Sequence, residues 1–184
     1  MAVAGSRSLS GAGLALVAPV CRSVLASGRS LAVGCAVGAD AAALAAMPPS
    51  AVRCFAAFGP GGAGAWRGSA VAAVAGFAAQ GGAVSWLAGG PLSVPLPARL
   101  AARTSAVVGA ASVSVVVFFA SPSSRGSALA ARLAVGRGLP VFGFACGFPA
   151  SQLPALGAGA WVPVCGAGPW AGAFRWVPGQ AGLF

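Results

Sequence analysis

Short apolar runs alternate along the chain with stretches whose apolar positions recur at helical spacing. Val3 and its neighbours form a very short strand that runs straight into Gly5-Ser6-Arg7. From Leu14 to Ala26, Leu14, Val17, Cys21, Val24 and Leu25 fall near a 3.6-residue period, which predicts a helix, and Gly28 is its stop. Leu31 to Cys35 predicts a second strand, and Gly34-Cys35-Ala36-Val37-Gly38-Ala39-Asp40 then opens a short Ala-rich helix. A third strand covers Val52 to Phe58, followed by the loop Gly59-Pro60-Gly61-Gly62. Ser69 to Gln80 predicts a helix with Val71, Val74 and Phe77 on one side, ended by Gly81-Gly82. Ala83 to Ala88 is the fourth strand, Pro91 to Pro97 a linker, and about Ala98 to Ala110 a helix. Val113 to Ala120 is the fifth strand, Ser121 to Ser127 a loop, Ala128 to Arg137 a helix and Val141 to Phe144 the sixth strand.

Strands that alternate with helices through short Gly- or Ser-rich connections predict an α/β protein, a Rossmann-like three-layer fold with a mostly parallel central sheet. Crossovers in such a sheet are right-handed, and ligands bind beyond the carboxyl ends of the strands. After Phe144 the pattern decays. Gly157 to Phe184 is rich in Gly, Pro and Trp, with Trp161-Val162-Pro163-Val164 as a last edge strand. The expected division is one domain over residues 1–165 and a Gly/Trp-rich tail over 166–184. For Trp170, Arg175 and Trp176 three roles are open: packing on the domain, an oligomer contact, or base stacking. Packing is the reading taken, because burial of apolar area is the usual role of Trp.

Composition changes how the charge is weighed. The chain has 184 residues, one domain's worth with a sizeable core. It has 11 Arg, no Lys, and Asp40 as its sole acid, for a formal net charge of +10. His, Tyr, Glu, Asn and Ile are absent, and Thr104 is the only Thr. The missing residues share codons with adenine at the first or second position, so an adenine-poor coding strand accounts for them. The positive field exists whatever its origin and leaves a polyanionic partner open, but basicity by itself decides little. Asp40, kept against that bias, stands out as a required residue.

Five Cys (21, 35, 54, 146, 165) form no CxxC pair and have no His beside them, which argues against zinc; no metal or other cofactor is expected. They read as reduced and mostly buried thiols, with Cys165 the most exposed. The 21 uncharged residues from Thr104 to Ser124 are long enough to cross a bilayer, but Gly109 and the Ser-Pro-Ser-Ser ending break them into a helix end, a turn and a buried strand. The N-terminus lacks the basic and long apolar regions of a signal peptide. A cytoplasmic protein without a membrane partner is expected.

Three loops sit where strands give way to helices. Gly5-Ser6-Arg7 supplies a close-approach Gly, a hydroxyl and a guanidinium; Gly34 to Asp40 supplies two glycines and a helix N-terminus; Ser121 to Ser127 supplies hydroxyls, Arg125 and a further N-terminus at Gly126-Ser127. Free N–H groups and the helix dipole suit phosphate, and Arg adds bidentate contact.

These residues resemble the DNA-processing protein A (DprA/Smf) Rossmann domain, within the SLOG superfamily that also holds LOG-type nucleotide hydrolases. Ala2 to Arg7 resembles the opening strand, and Gly34 to Asp40 the family's Gly-x-Ala-x-Gly-x-Asp element. Arg99 to Arg103, Val113 to Phe119, Ser124 to Ser127 and Leu139 to Phe144 resemble the second half, so that the likeness covers roughly residues 1–165. It implies binding of a nucleotide or single-stranded DNA, a role in DNA processing and recombinase loading, and phosphate contacts from Arg7, Arg99, Arg103 and Arg125. The chain departs from the family in having no Lys, no Asn in the Arg-rich helix and no room for a separate terminal domain. The LOG-type Pro-Gly-Gly-x-Gly-Thr-x-x-Glu element has only a superficial echo at Gly59 to Gly64, without the Glu.

The function expected is a nucleotide- or single-stranded-DNA-binding module, with a pocket of Gly5, Ser6, Arg7, Gly34, Gly38, Asp40, Arg99, Arg103, Ser124, Arg125, Gly126 and Ser127. Two alternatives differ in class. One is a hydrolase of a nucleotide N-glycosidic bond using Asp40, although a carboxylate at a helix start also serves as a cap or a ribose contact. The other is a structural protein that self-associates as a homo-oligomer through its apolar surface and Trp-rich tail.

Overall fold

The computed structural model describes residues 1–65 and 68–179. Its elements in chain order are β1 (Ala2–Gly5), α1 (Gly11–Ala26), β2 (Leu31–Val33), α2 (Ala39–Ala46), β3 (Val52–Phe55), α3 (Gly68–Ala79), β4 (Ala83–Ser85), α4 (Leu96–Gly109), β5 (Val115–Phe119), α5 (Arg125–Gly136), β6 (Val141–Ala145), β7 (Gly159–Pro163) and β8 (Ala173–Pro178). The fold is α/β and Rossmann-like, as the alternation predicts. The strands lie in the order β4-β3-β2-β1-β5-β6-β8-β7. Every pairing from β4 to β6 is parallel, while β8 runs antiparallel to both β6 and β7.

Helices cover both faces, so the central strands are apolar on both sides. In β5, Val116 and Phe118 enter one core with Val17, Val20 and Val24 of α1, Ala43 of α2 and Phe77 of α3. Val115, Val117 and Phe119 enter the other, with Val107 and Val108 of α4 and Ala130, Ala131 and Ala134 of α5. This explains the unbroken apolar run in the sequence. Phe118 stacks on Phe144 of β6 with ring centroids 5.0 Å apart. Among the described residues no helix is long and apolar enough to cross a membrane. Four cysteines are buried thiols and Cys165 is exposed.

The C-terminal region is more ordered than its Gly and Pro content predicts. β7 occupies the sheet edge, close to the expected Trp161–Val164. Ala173–Pro178, inside the expected tail, forms β8 and inserts between β6 and β7. Trp176 is buried against Trp161, at 5.5 Å and 71°, and Trp170 packs edge-on to Phe142. Both do what the packing reading proposes. Residues 180–184 of that tail lie outside the described residues.

Candidate functional site

The order of the strands locates the crevice. From β1 the chain winds outward through β2, β3 and β4, then α4 carries it back to β5 on the other side of β1. The loops that leave β1 and β5 therefore depart to opposite faces, opening a crevice between their carboxyl ends. Gly5 pairs with Phe118 in register, and Ser6 N donates to Phe118 O at 2.9 Å. Gly5-Ser6-Arg7 and Ser121–Arg125 thus border one crevice.

On the β1 side, Ser6 Oγ lies 3.1 Å from Ser8 Oγ and accepts the Ser8 N–H at 3.3 Å. Arg7 projects into solvent. On the β5 side, Ser124 is the N-cap residue of α5, but its hydroxyl accepts from Ser121 N at 3.1 Å and does not cap the helix. Arg125 and Gly126 are exposed in that uncapped first turn, and a Cβ at Gly126 would meet open space. Ser127 points inward: it is buried and donates its hydroxyl to Phe118 O at 3.2 Å, tying α5 to β5.

Of the other two helix starts, α1 has a side-chain cap, and α2 has none but donates Ala39 N to Ser6 O and Ala41 N to Ala36 O. Ser10 Oγ caps α1 by accepting from Gly13 N at 3.4 Å. At α2 the chain turns through Gly38, which has φ +81°, and brings Asp40 into the first turn. Asp40 faces inward. Its Oδ2 accepts the Ala36 N–H at 3.0 Å and the Arg103 Nη1 donor at 3.1 Å. Burial pushes the Asp40 carboxyl above the ordinary carboxylate range, against the opposing pull of the Arg103 charge and the Ala36 N–H. Gly34 lies against this pair; a Cβ there would overlap both the guanidinium and the carboxylate.

The four Arg residues of the expected pocket divide into two groups. Arg7 and Arg125 are free at the rim. Arg99, 4% exposed, donates to the carbonyls of Val94, Ala57 and Gly64, fastening the Gly59–Gly64 loop to α4. Arg103 is buried on Asp40, and its Nε has no hydrogen-bond partner. The resemblance implies phosphate contacts for all four; in the structure the α4 pair is buried, Arg99 bonded to backbone carbonyls and Arg103 to Asp40, because α4 packs that face against the sheet.

Two contacts beside the Asp40–Arg103 pair have no sequence signal. Cys54 Sγ donates to Gly34 O at 3.4 Å, and Ala57 N donates to Cys35 Sγ at 3.3 Å. Burial raises both thiols above the usual cysteine range. Among the described residues no group of three or more His, Cys, Asp or Glu is placed to hold a metal ion.

A doubly wound, mostly parallel sheet whose β1 and β5 loops leave its switch point to opposite faces defines a Rossmann-like class of domain. The chain belongs to the DNA recombination-mediator protein A family, whose profile it matches over residues 1–154. Among solved structures it is similar to DNA processing protein A from Helicobacter pylori, studied for its unique single-stranded DNA binding mode. The TM-score is 0.63 at 20% identity, covering 78% of this chain and 65% of that one. At that identity the likeness establishes the shared fold. No curated protein matches the chain.

Proposed function

We propose that the chain binds single-stranded DNA through its phosphates at the crevice between β1 and β5, as part of DNA processing. The carrying observation is the α5 start: its first-turn N–H groups lack a side-chain cap, Arg125 stands beside them, and Gly5-Ser6-Arg7 borders the same crevice. Helix dipole, free amides and guanidinium act together on an anion there. The only acid in the chain is buried, so no exposed side chain opposes the anion. Preference for a single strand is supported by the family and by the binding mode studied in the H. pylori protein.

Fluorescence anisotropy with labelled oligo-dT across a salt series tests this. Log affinity should fall linearly with log salt, and Arg7→Ala and Arg125→Ala should each flatten the slope by about 0.7, the contribution of one single-strand phosphate. No binding at low salt, or wild-type slopes in both variants, would overturn it. Binding of mononucleotides without oligo-dT would assign the crevice to a free nucleotide instead.

A further inference from the structure

We propose that Asp40 and Arg103 form a positioning device for the crevice and that neither touches the DNA phosphates; the inference rests on the crevice reading above. The pair joins the two helical layers. Arg103 comes from α4 and Asp40 from α2, which lie on opposite faces of the sheet, and they meet at 3.1 Å beyond the end of β2. Asp40 does not cap its helix outward. Its Oδ2 takes the Ala36 N–H, four residues back, and so closes the turn Ala36–Asp40 on itself.

That turn lies directly on the β1 loop. Gly38 sits so close to the Ser6 carbonyl and the Arg7 backbone that a Cβ would overlap them. Ala39 N donates to Ser6 O at 3.4 Å, and a Cβ on Gly5 would run into the Ala39 side chain. A continuous line of contact thus runs from Arg103 through Asp40 and the Gly38 turn to the backbone of Ser6 and Arg7. The carboxylate shapes the turn, the turn supports the loop, and the loop aims Arg7. Arg103 has a narrower task. A buried carboxylate needs a cation, and Arg103 supplies it while lying against the bare Cα of Gly34.

This separates two roles that are confounded in single variants, where one buried charge is left unpaired. Two double variants avoid that, since each removes both charges. In Asp40→Asn/Arg103→Met the introduced carboxamide oxygen still accepts the Ala36 N–H. In Asp40→Ala/Arg103→Met nothing does. Oligo-dT affinity should stay within about threefold of wild type in the first and drop about tenfold in the second. The salt slope should be unchanged in the first, where no phosphate contact is lost, and flatter in the second, where Arg7 is no longer aimed at its phosphate. Equal loss in the two, or a flatter slope in the first, means that Arg103 reaches phosphate and overturns the inference.

Hydrogen exchange on the DNA-free proteins gives an independent readout. Segments 5–9 and 34–40 should exchange faster in the Ala-containing double variant than in the Asn-containing one. Equal exchange over segment 5–9 overturns the positioning role. If wild type fails to bind oligo-dT, the DNA reading falls, and the exchange comparison still decides whether the pair holds the loop.

Discussion

At the scale of single residues, the site depends on where side chains are missing as much as on where they are present. Gly34 and Gly126 are both glycines of the phosphate-type loops, yet their surroundings differ. A methyl on Gly34 would be forced between Arg103 and Asp40 and would part a buried ion pair. Gly34→Ala should therefore cost about 3–5 kcal/mol, the usual penalty for leaving a buried charge unpaired. Gly126 lies in the open first turn of α5, with nothing near a built Cβ. Gly126→Ala should stabilise by about 0.5–1 kcal/mol by restricting the unfolded chain. Urea denaturation of the two variants checks both signs. The sequence shows two glycines in like motifs; only the neighbours brought in from α4 distinguish them.

At the scale of elements, the alternation of strands and helices was legible because each element buries apolar positions at its own period. The six parallel strands and five helices follow from that pattern, with ends shifted by a few residues. Phe58, for example, lies beyond β3, because β3 keeps its partner β4 only as far as the Phe55–Ser85 pair. β8 was not legible. Gly172 and Gly179 flank only six residues, the last of them Pro178, and Arg175 interrupts the apolar run. Its pairing with β6 and β7 is a long-range fact that local pattern does not contain. The same limit hid the direction of Arg99 and Arg103: spacing puts them four apart on one helix face, but the packing of α4 decides whether that face meets solvent. The weight of β8 can be measured. Trp176 is 4% exposed, packs on Trp161 and has no hydrogen-bond partner for Nε1. Trp176→Ala should cost about 3–5 kcal/mol in guanidinium denaturation. Trp176→Phe should cost clearly less, since no hydrogen bond is lost with the indole.

At the scale of the whole molecule, the unusual composition makes one stability term separable. With no Lys and no Tyr, the side chains that titrate between about pH 9 and 12 are thiols. Burial raises Cys21 from its ordinary value to about 12, against the weaker opposing pull of Arg22, and raises Cys146 to about 11. Cys35 and Cys54 are raised as well, burial being the first cause in each. The unfolded chain releases these protons near pH 9, while the folded protein still holds them. Protons are then bound more tightly by the folded state, so stability is complete below pH 9 and is lost as pH rises through the folded values. For Cys21 the loss is about 1.4 kcal/mol per pH unit between about pH 9 and 12. Chemical denaturation at steps from pH 8 to 11 should show a steadily falling midpoint. Cys21→Ala should be less stable than wild type at pH 8, because it empties packed core volume next to Val17 and Val24. Its midpoint should nevertheless fall less steeply with pH, so that the two curves converge. Parallel curves would show that Cys21 is not protected from alkali by the fold.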